Sequence, residues 1–296
     1  MRQTAFPFLL PLALLASLVA APRPVRAGNE PAPAGARAVG LAGAAAPLAD
    51  AWSLTNNIGG LGWLTSPTVS VYADNRFGVS AFRTGGLAGA APIRGGKLGV
   101  GGFDVLRFGD DIYSETRAGF GYAYRQGPFS LGVKADMWQL ATEGLPSRRA
   151  VALSLGGLVQ LRPKLWLGAY GYNINQAHLN KDTGERLPTL LKGGLSYRPG
   201  ERLLVNLELH KNIDLPAAVV GGVEYQPHPV VAVRAGFNAL TEAFNFGLGA
   251  RTRGIQLDYA LGTQSRLGLS HHVGLTYTFG SPAASADAAP ANPSGK

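Results

Sequence analysis

The sequence predicts an all-β protein, a transmembrane antiparallel β-barrel of about 14 strands, on three observations. Short segments that alternate apolar and polar residues recur over residues 68–279. The connections between them alternate in length, as in bacterial outer-membrane barrels with short periplasmic turns and longer outward loops. The chain also opens on an export signal but later has no apolar run of the roughly 20 residues a membrane helix needs. Composition agrees. Glycine numbers 41 and charged residues make up 15%, where soluble domains average roughly 7% glycine and 25% charge.

The signal comes first in the chain. Arg2 supplies a positive start, residues 6–21 form a short apolar run, and Val25-Arg26-Ala27 places small residues at the minus-three and minus-one positions of a cleavage site after Ala27. Residues 1–27 are therefore expected to leave, and the mature chain to begin at Gly28. With no cysteine there is no lipid-anchoring thiol, disulfide or thiolate metal site. Loss of Arg2, Arg23 and Arg26 lowers the formal charge from +9 to +6. No basic cluster with interleaved aromatics accompanies that charge, so nucleic-acid binding is not expected.

The strands are expected near residues 68–73, 77–83, 97–107, 114–125, 129–141, 149–161, 165–174, 189–198, 202–212, 217–226, 230–238, 243–251, 254–263 and 270–279. Leu203, Val205, Leu207 and Leu209 share one face of their segment while Asn206, Glu208 and His210 share the other, so one face meets lipid and the other water. Arg253-Gly254, Pro227-His228-Pro229, Arg198-Pro199-Gly200-Glu201, Arg162-Pro163-Lys164 and Gln126-Gly127-Pro128 are the short periplasmic turns. Residues 175–188 are the longest late connection, and residues 84–96 break the parity. A soluble β-sandwich would not require that parity.

Lumen-facing positions carry Arg117, Arg125, Lys134, Asp136, Lys192, Glu208, His210, Glu224, Arg234 and Asp258. Buried charges need partners, so a salt-bridge network filling the interior is expected in preference to a charge-selective channel. Ser270, His271 and His272 are neighbours, but adjacent strand residues point to opposite faces. No nucleophile-elbow or zinc-protease motif is present. An enzyme is not expected, and no cofactor or metal site is assigned.

The third segment, "KLGVGGFDVLRFG", shifts phase: Leu98 and Val100 set one alternation, Phe103 and Val105 the other. Glycine pairs in strands often mark a β-bulge, which places one at Gly101 and Gly102. The last segment, "HHVGLTYTFG", has Gly274 followed by Tyr277 and Phe279 spaced by two, on a lipid face with interfacial aromatics. It resembles the C-terminal signal of outer-membrane barrels, which implies the barrel-assembly machinery as a partner. The barrel is set at residues 66–280, and residues 281–296, rich in Ala, Pro and Ser, are expected to be a disordered periplasmic tail.

Ahead of the strands lies "ADAWSLTNNIGGL", too polar and glycine-rich for a core helix and without strand alternation. Asp50-Ala51-Trp52, Asn56-Asn57 and Gly60-Leu61 within it resemble the N-terminal motif of the outer-membrane long-chain fatty-acid transporter superfamily, which includes the PorV and PorQ proteins of type IX secretion. Ile58-Gly59 stands where Pro-Ala is usual. The resemblance implies that residues 28–65 are a linker and a hatch tucked into the lumen. It also implies that Gly101 and Gly102 mark a lateral opening from lumen to bilayer. In function it implies an integral barrel in the outer membrane of a Gram-negative bacterium, binding or transporting small hydrophobic molecules. The alternative is a non-transporting PorV/PorQ-like partner in secretion or surface assembly, and a third reading is a sealed structural barrel. Outer-membrane lipid, the assembly machinery, and hydrophobic small molecules or secretion-system proteins are the implied partners.

Overall fold

The computed structural model describes residues 31–180, 184–264 and 266–280. The signal cleavage site and residues 281–296 lie outside them.

Alternation closes the sheet. Fourteen strands form one antiparallel barrel: β1 (Thr68–Arg76), β2 (Arg83–Pro92), β3 (Val100–Gly109), β4 (Tyr113–Gln126), β5 (Phe129–Thr142), β6 (Arg148–Arg162), β7 (Leu165–Tyr172), β10 (Leu190–Tyr197), β11 (Leu203–Asn212), β12 (Ala218–His228), β13 (Val231–Asn238), β14 (Ala243–Thr252), β15 (Ile255–Gln264) and β16 (Gly268–Thr278). β1 pairs with β16 over nine register positions, Thr68 opposite Thr278 through Arg76 opposite Ser270, so no edge remains. A small hairpin, β8 (His178–Asn180) with β9 (Glu185–Arg186), sits in the longest connection.

One face of each strand meets the membrane. Phe120 is 74% exposed and Leu131 66%, while the alternating positions on the same strands are buried or half-buried. Apolar side chains outside and polar ones inside are the reverse of a soluble core, and they suit a lipid surround. Six connections lie at one end, here the turn end, and four of them are two residues long. The other end, the loop end, carries residues 173–189, whose hairpin bends back so that Leu179 and Leu187 are buried with Tyr170 and Tyr172.

Two expectations are corrected. The second strand is not at residues 77–83 but at Arg83–Pro92, and residues 77–82 turn between β1 and β2. Its lumen-facing positions, Gly86, Ala88 and Ala90, are small because Trp52 and Leu106 press against that wall, so no polar alternation was there to read. With this strand in place, the long connection at residues 84–96 shortens to residues 93–99, which is still longer than loop-end connections such as 110–112 and remains the exception to the parity.

The bulge at Gly101 and Gly102 is absent. β3 pairs in unbroken register with β2 from Val100 to Phe108 and with β4 from Val100 to Gly109, so the wall has no lateral opening there. Val100 faces the lumen and is 1% exposed, whereas Phe103 and Val105 face lipid. Leu98 precedes the strand, in the turn where Gly99 has φ +77°. The apparent change of phase arose because the lumen beside Val100 is itself apolar. The register shifts in the barrel lie elsewhere, between β6 and β7 and between β12 and β13, each next to a two-residue turn.

Candidate functional site in the lumen

The barrel is filled by its own N-terminal segment. Helix α1 (Ala36–Gly40), helix α2 (Ser53–Asn56) and a 3-10 segment (Ile58–Trp63) lie in the lumen with every residue of both helices buried. These pieces are too short to be stable alone, so the wall must hold them.

Local hydrogen bonds give the segment its shape. Asp50 accepts from the Trp52 amide at 3.0 Å, and its own amide donates to Ser53 Oγ at 3.1 Å, forming an Asx-type turn into α2. The Asn56 side chain pairs with both backbone groups of Ala34, accepting at 3.1 Å and donating at 2.9 Å. Asn57 donates to Ala46 O at 2.6 Å and to Gly157 O of β6 at 2.9 Å, and accepts from the Gly59 amide at 3.0 Å. One buried side chain thus joins two hatch turns to the wall. Trp52 stacks edge-on against Tyr72 at 5.7 Å, and Leu61 is fully buried. Gly60 leaves room for Ser53 Oγ, which a Cβ there would approach to 2.6 Å.

Glycines on the wall make the seat. An added Cβ would stand 2.5 Å from the Ala42 nitrogen at Gly236, 2.8 Å from Leu41 Cβ at Gly222, 2.8 Å from the Pro47 nitrogen at Gly168 and 2.8 Å from Ile58 O at Gly132. Real Cβ contacts do not come that close, so hatch backbone occupies the space where side chains would sit. This explains much of the glycine excess.

Charge fixes the other half of the hatch. Arg37 donates twice to Glu224, at 2.9 and 2.8 Å. Arg234 donates to the same carboxylate at 2.5 Å and to Asp258 at 2.8 Å, and Gln256 donates to Asp258 at 2.7 Å. Across the lumen, Lys134 lies 2.7 Å from Asp104 and 2.8 Å from Asp136, with Arg117 at 4.0 and 3.8 Å from the same two carboxylates. Thr55 of α2 donates to Asp104 at 2.8 Å. Glu208 accepts from the Ala46 amide at 2.6 Å and lies 2.8 Å from His210 Nε2. Lys192 is buried on β10, in register between Tyr170 and His210.

Arg125 stays out of these clusters and lies over the Trp63 ring at 3.5 Å, at the turn end. Gly274 faces the lumen beside Ala36, and Tyr277 and Phe279 are exposed on the outer face, their rings 4.7 Å apart.

Sequence reasoning missed Arg37, Asp104, Tyr72 and Asp74. The Tyr72 hydroxyl donates to Asp74 at 2.9 Å and meets His272 Nδ1 at 2.8 Å, while Asp74 also accepts from Arg76 at 3.2 Å. Asp104 alternates with Phe103 and Val105 and was open to the same reading without being singled out, and Asp74 lay one residue past the expected strand end. Arg37 lies in the expected linker and hatch segment, where no local pattern points to its partner on β12.

Between the hatch and the loop end lies a cavity of about 210 Å³. Tyr72, Leu106, Phe108 and Trp138 form its apolar wall, Arg76, Thr84, Glu115 and Arg117 its polar one, and residues 31–34 its floor.

The fold and lumen define the class, a transmembrane β-barrel closed by its own N-terminal hatch. No family model matches the chain, and no curated protein matches it in sequence. Solved structures are similar in fold. A FadL homologue from Pseudomonas aeruginosa superposes with a TM-score of 0.62 at 12% identity over 86% of this chain and 100% of that one. The P. putida toluene transporter TodX gives 0.60 at 12% identity over 83% and 98%, and a TodX deltaS2 mutant 0.56 at 11% over 77% and 93%. At such identities the likeness is one of fold.

Proposed function

We propose that this chain is an outer-membrane barrel of a Gram-negative bacterium that binds or passes small hydrophobic molecules entering at the loop end. The observation that carries this reading is the cavity above the hatch, walled by Tyr72, Leu106, Phe108 and Trp138. An apolar cavity of about 150 Å³ is enough to take up benzene, so about 210 Å³ accommodates a single substituted ring. A mostly apolar wall with a few convergent polar groups is the usual make-up of a small-molecule site. The fold shared with a toluene transporter supports the same ligand class, and the export signal in the sequence supports the location. With β3 paired throughout, the route runs between the loop end and the hatch and not through the wall at Gly101 and Gly102.

The test is equilibrium binding of toluene to the purified barrel. Saturable binding is expected, and Leu106→Trp, which fills the cavity, should weaken it by about tenfold through lost apolar contact. Non-saturable uptake equal in both proteins would remove the ligand-binding reading and move the assignment to the PorV/PorQ-like secretion partner.

A further inference from the structure

The outer surface is not uniform around the barrel. On β2 to β6 the register aligns Leu87, Val105, Ala118, Met137 and Val151 in one lipid-facing row. One step toward the loop end the next row reads Gly85, Arg107, Thr116, Gln139 and Arg149, and Arg83 follows on β2. The apolar belt therefore ends abruptly at three exposed arginines.

No acidic side chain of these strands faces them, while Asp110, Asp111 and Glu143 stand in the adjoining loop-end connections. The acidic residues of these five strands, Asp104, Glu115 and Asp136, all point into the lumen. Among the described residues none of the three arginines takes part in an ion pair. Arg149 donates to Gln139 Oε1 at 3.1 Å and Arg107 to the Asp110 carbonyl at 3.5 Å. On the opposite sector the lipid-facing positions near the loop end include Phe237 and Phe244, 4.7 Å apart, and the single basic side chain Lys211 on β11. A run of three arginines is thus found on this side of the rim, against one lysine opposite.

We infer that Arg83, Arg107 and Arg149 form a binding site for a phosphorylated glycolipid of the outer leaflet, lipid A, with acyl chains along the Leu87 to Val151 row and phosphates on the guanidinium groups. Guanidinium matches phosphate in a bidentate manner, and a long basic side chain at the edge of an apolar belt reaches the headgroup layer. Arg107 and Arg149 are three strand steps apart, roughly 14 Å at about 4.8 Å per step. That span suits a disaccharide carrying a phosphate at each end better than the single phosphate of a glycerophospholipid. Thr116 and Gln139 between them offer hydrogen bonds to sugar hydroxyls. The inference rests on the outer-membrane reading, which sets the loop end in the outer leaflet.

The experiment is native mass spectrometry of the full chain, extracted from membranes and exchanged into mild detergent. The probes are bisphosphorylated lipid A, the same lipid stripped of its phosphates, and phosphatidylglycerol. Wild type should retain the bisphosphorylated form at least about tenfold more tightly than either other lipid, and Arg83→Gln/Arg107→Gln/Arg149→Gln should lose that preference, as charge-assisted bonds require. Comparable retention by variant and wild type, or wild-type binding of phosphatidylglycerol as tight as that of lipid A, would overturn the site and leave three arginines at an interface only. The two comparison lipids test wild type itself, so the outcome does not depend on the variant folding. Membrane fractionation is read alongside. A chain absent from the outer membrane fails the location, whereas a heat-shifting barrel in the outer membrane without lipid A preference fails this site alone.

Discussion

At the residue scale, the ion cluster around Glu224 shows why the lumen charges are structural. One carboxylate takes two guanidinium groups, one from the hatch and one from β13, in a buried setting. Removing one member of such a group leaves uncompensated charge, at a cost of about 3 kcal/mol or more. Glu224→Gln is thus expected to lower the urea unfolding midpoint of the barrel clearly. Arg37→Met leaves Glu224 paired with Arg234, so it should lower the midpoint less than Glu224→Gln and show mainly as faster amide exchange over residues 34–48. Equal effects of the two changes on the midpoint would contradict this division. The lumen charges Glu208, Glu224, Arg234 and Asp258 were legible from strand alternation, because a polar residue on a membrane strand has only the lumen to face. Two partners were not, Arg37 for Glu224 and Asp104 for Lys134, since they meet them across distances of sequence that no local pattern encodes.

At the scale of elements, neighbouring glycines on β3 are expected to behave differently. Gly101 faces lipid, where an added Cβ meets only Ile93 at 3.5 Å, so Gly101→Val should leave folding and the hatch unchanged. Gly102 faces the lumen, where a Cβ would stand 2.8 Å from Gly89 O and 3.1 Å from Leu54 of α2, so Gly102→Val should displace the hatch. Protease sensitivity of the N-terminal segment in the folded barrel reads this. Similar sensitivity in both variants would argue against the hatch packing.

The last strand makes its own prediction. Tyr277 pairs with Val69 and Ile255, and the Phe279 amide bonds to Pro67 O at 2.9 Å, closing the barrel seam. Tyr277→Ala with Phe279→Ala should therefore reduce membrane insertion, whereas truncation after Gly280 should not; equal loss would contradict the assignment. Strands with polar lumen faces were readable from sequence. β2 and the start of β3 were not, because against a hatch the lumen side is small or apolar and the alternation on which the reading depends vanishes.

At the scale of the molecule, two halves of the hatch are held by different physics. α2 and the 3-10 segment bury Leu54, Ile58 and Leu61 against the β3 to β6 wall, while α1 is tied by Arg37 to β12 and sits on the glycines of β13 and β14. Together they close the lumen below the cavity. Single-channel conductance of the purified full chain tests this closure most directly, in comparison with a form that lacks residues 31–63 and keeps residues 1–30. The full chain should show no steady open pore, and the shortened form, still heat-shifting as a folded barrel, should conduct continuously. Steady conductance of the same size in both would contradict a lumen closed by its own N-terminal segment.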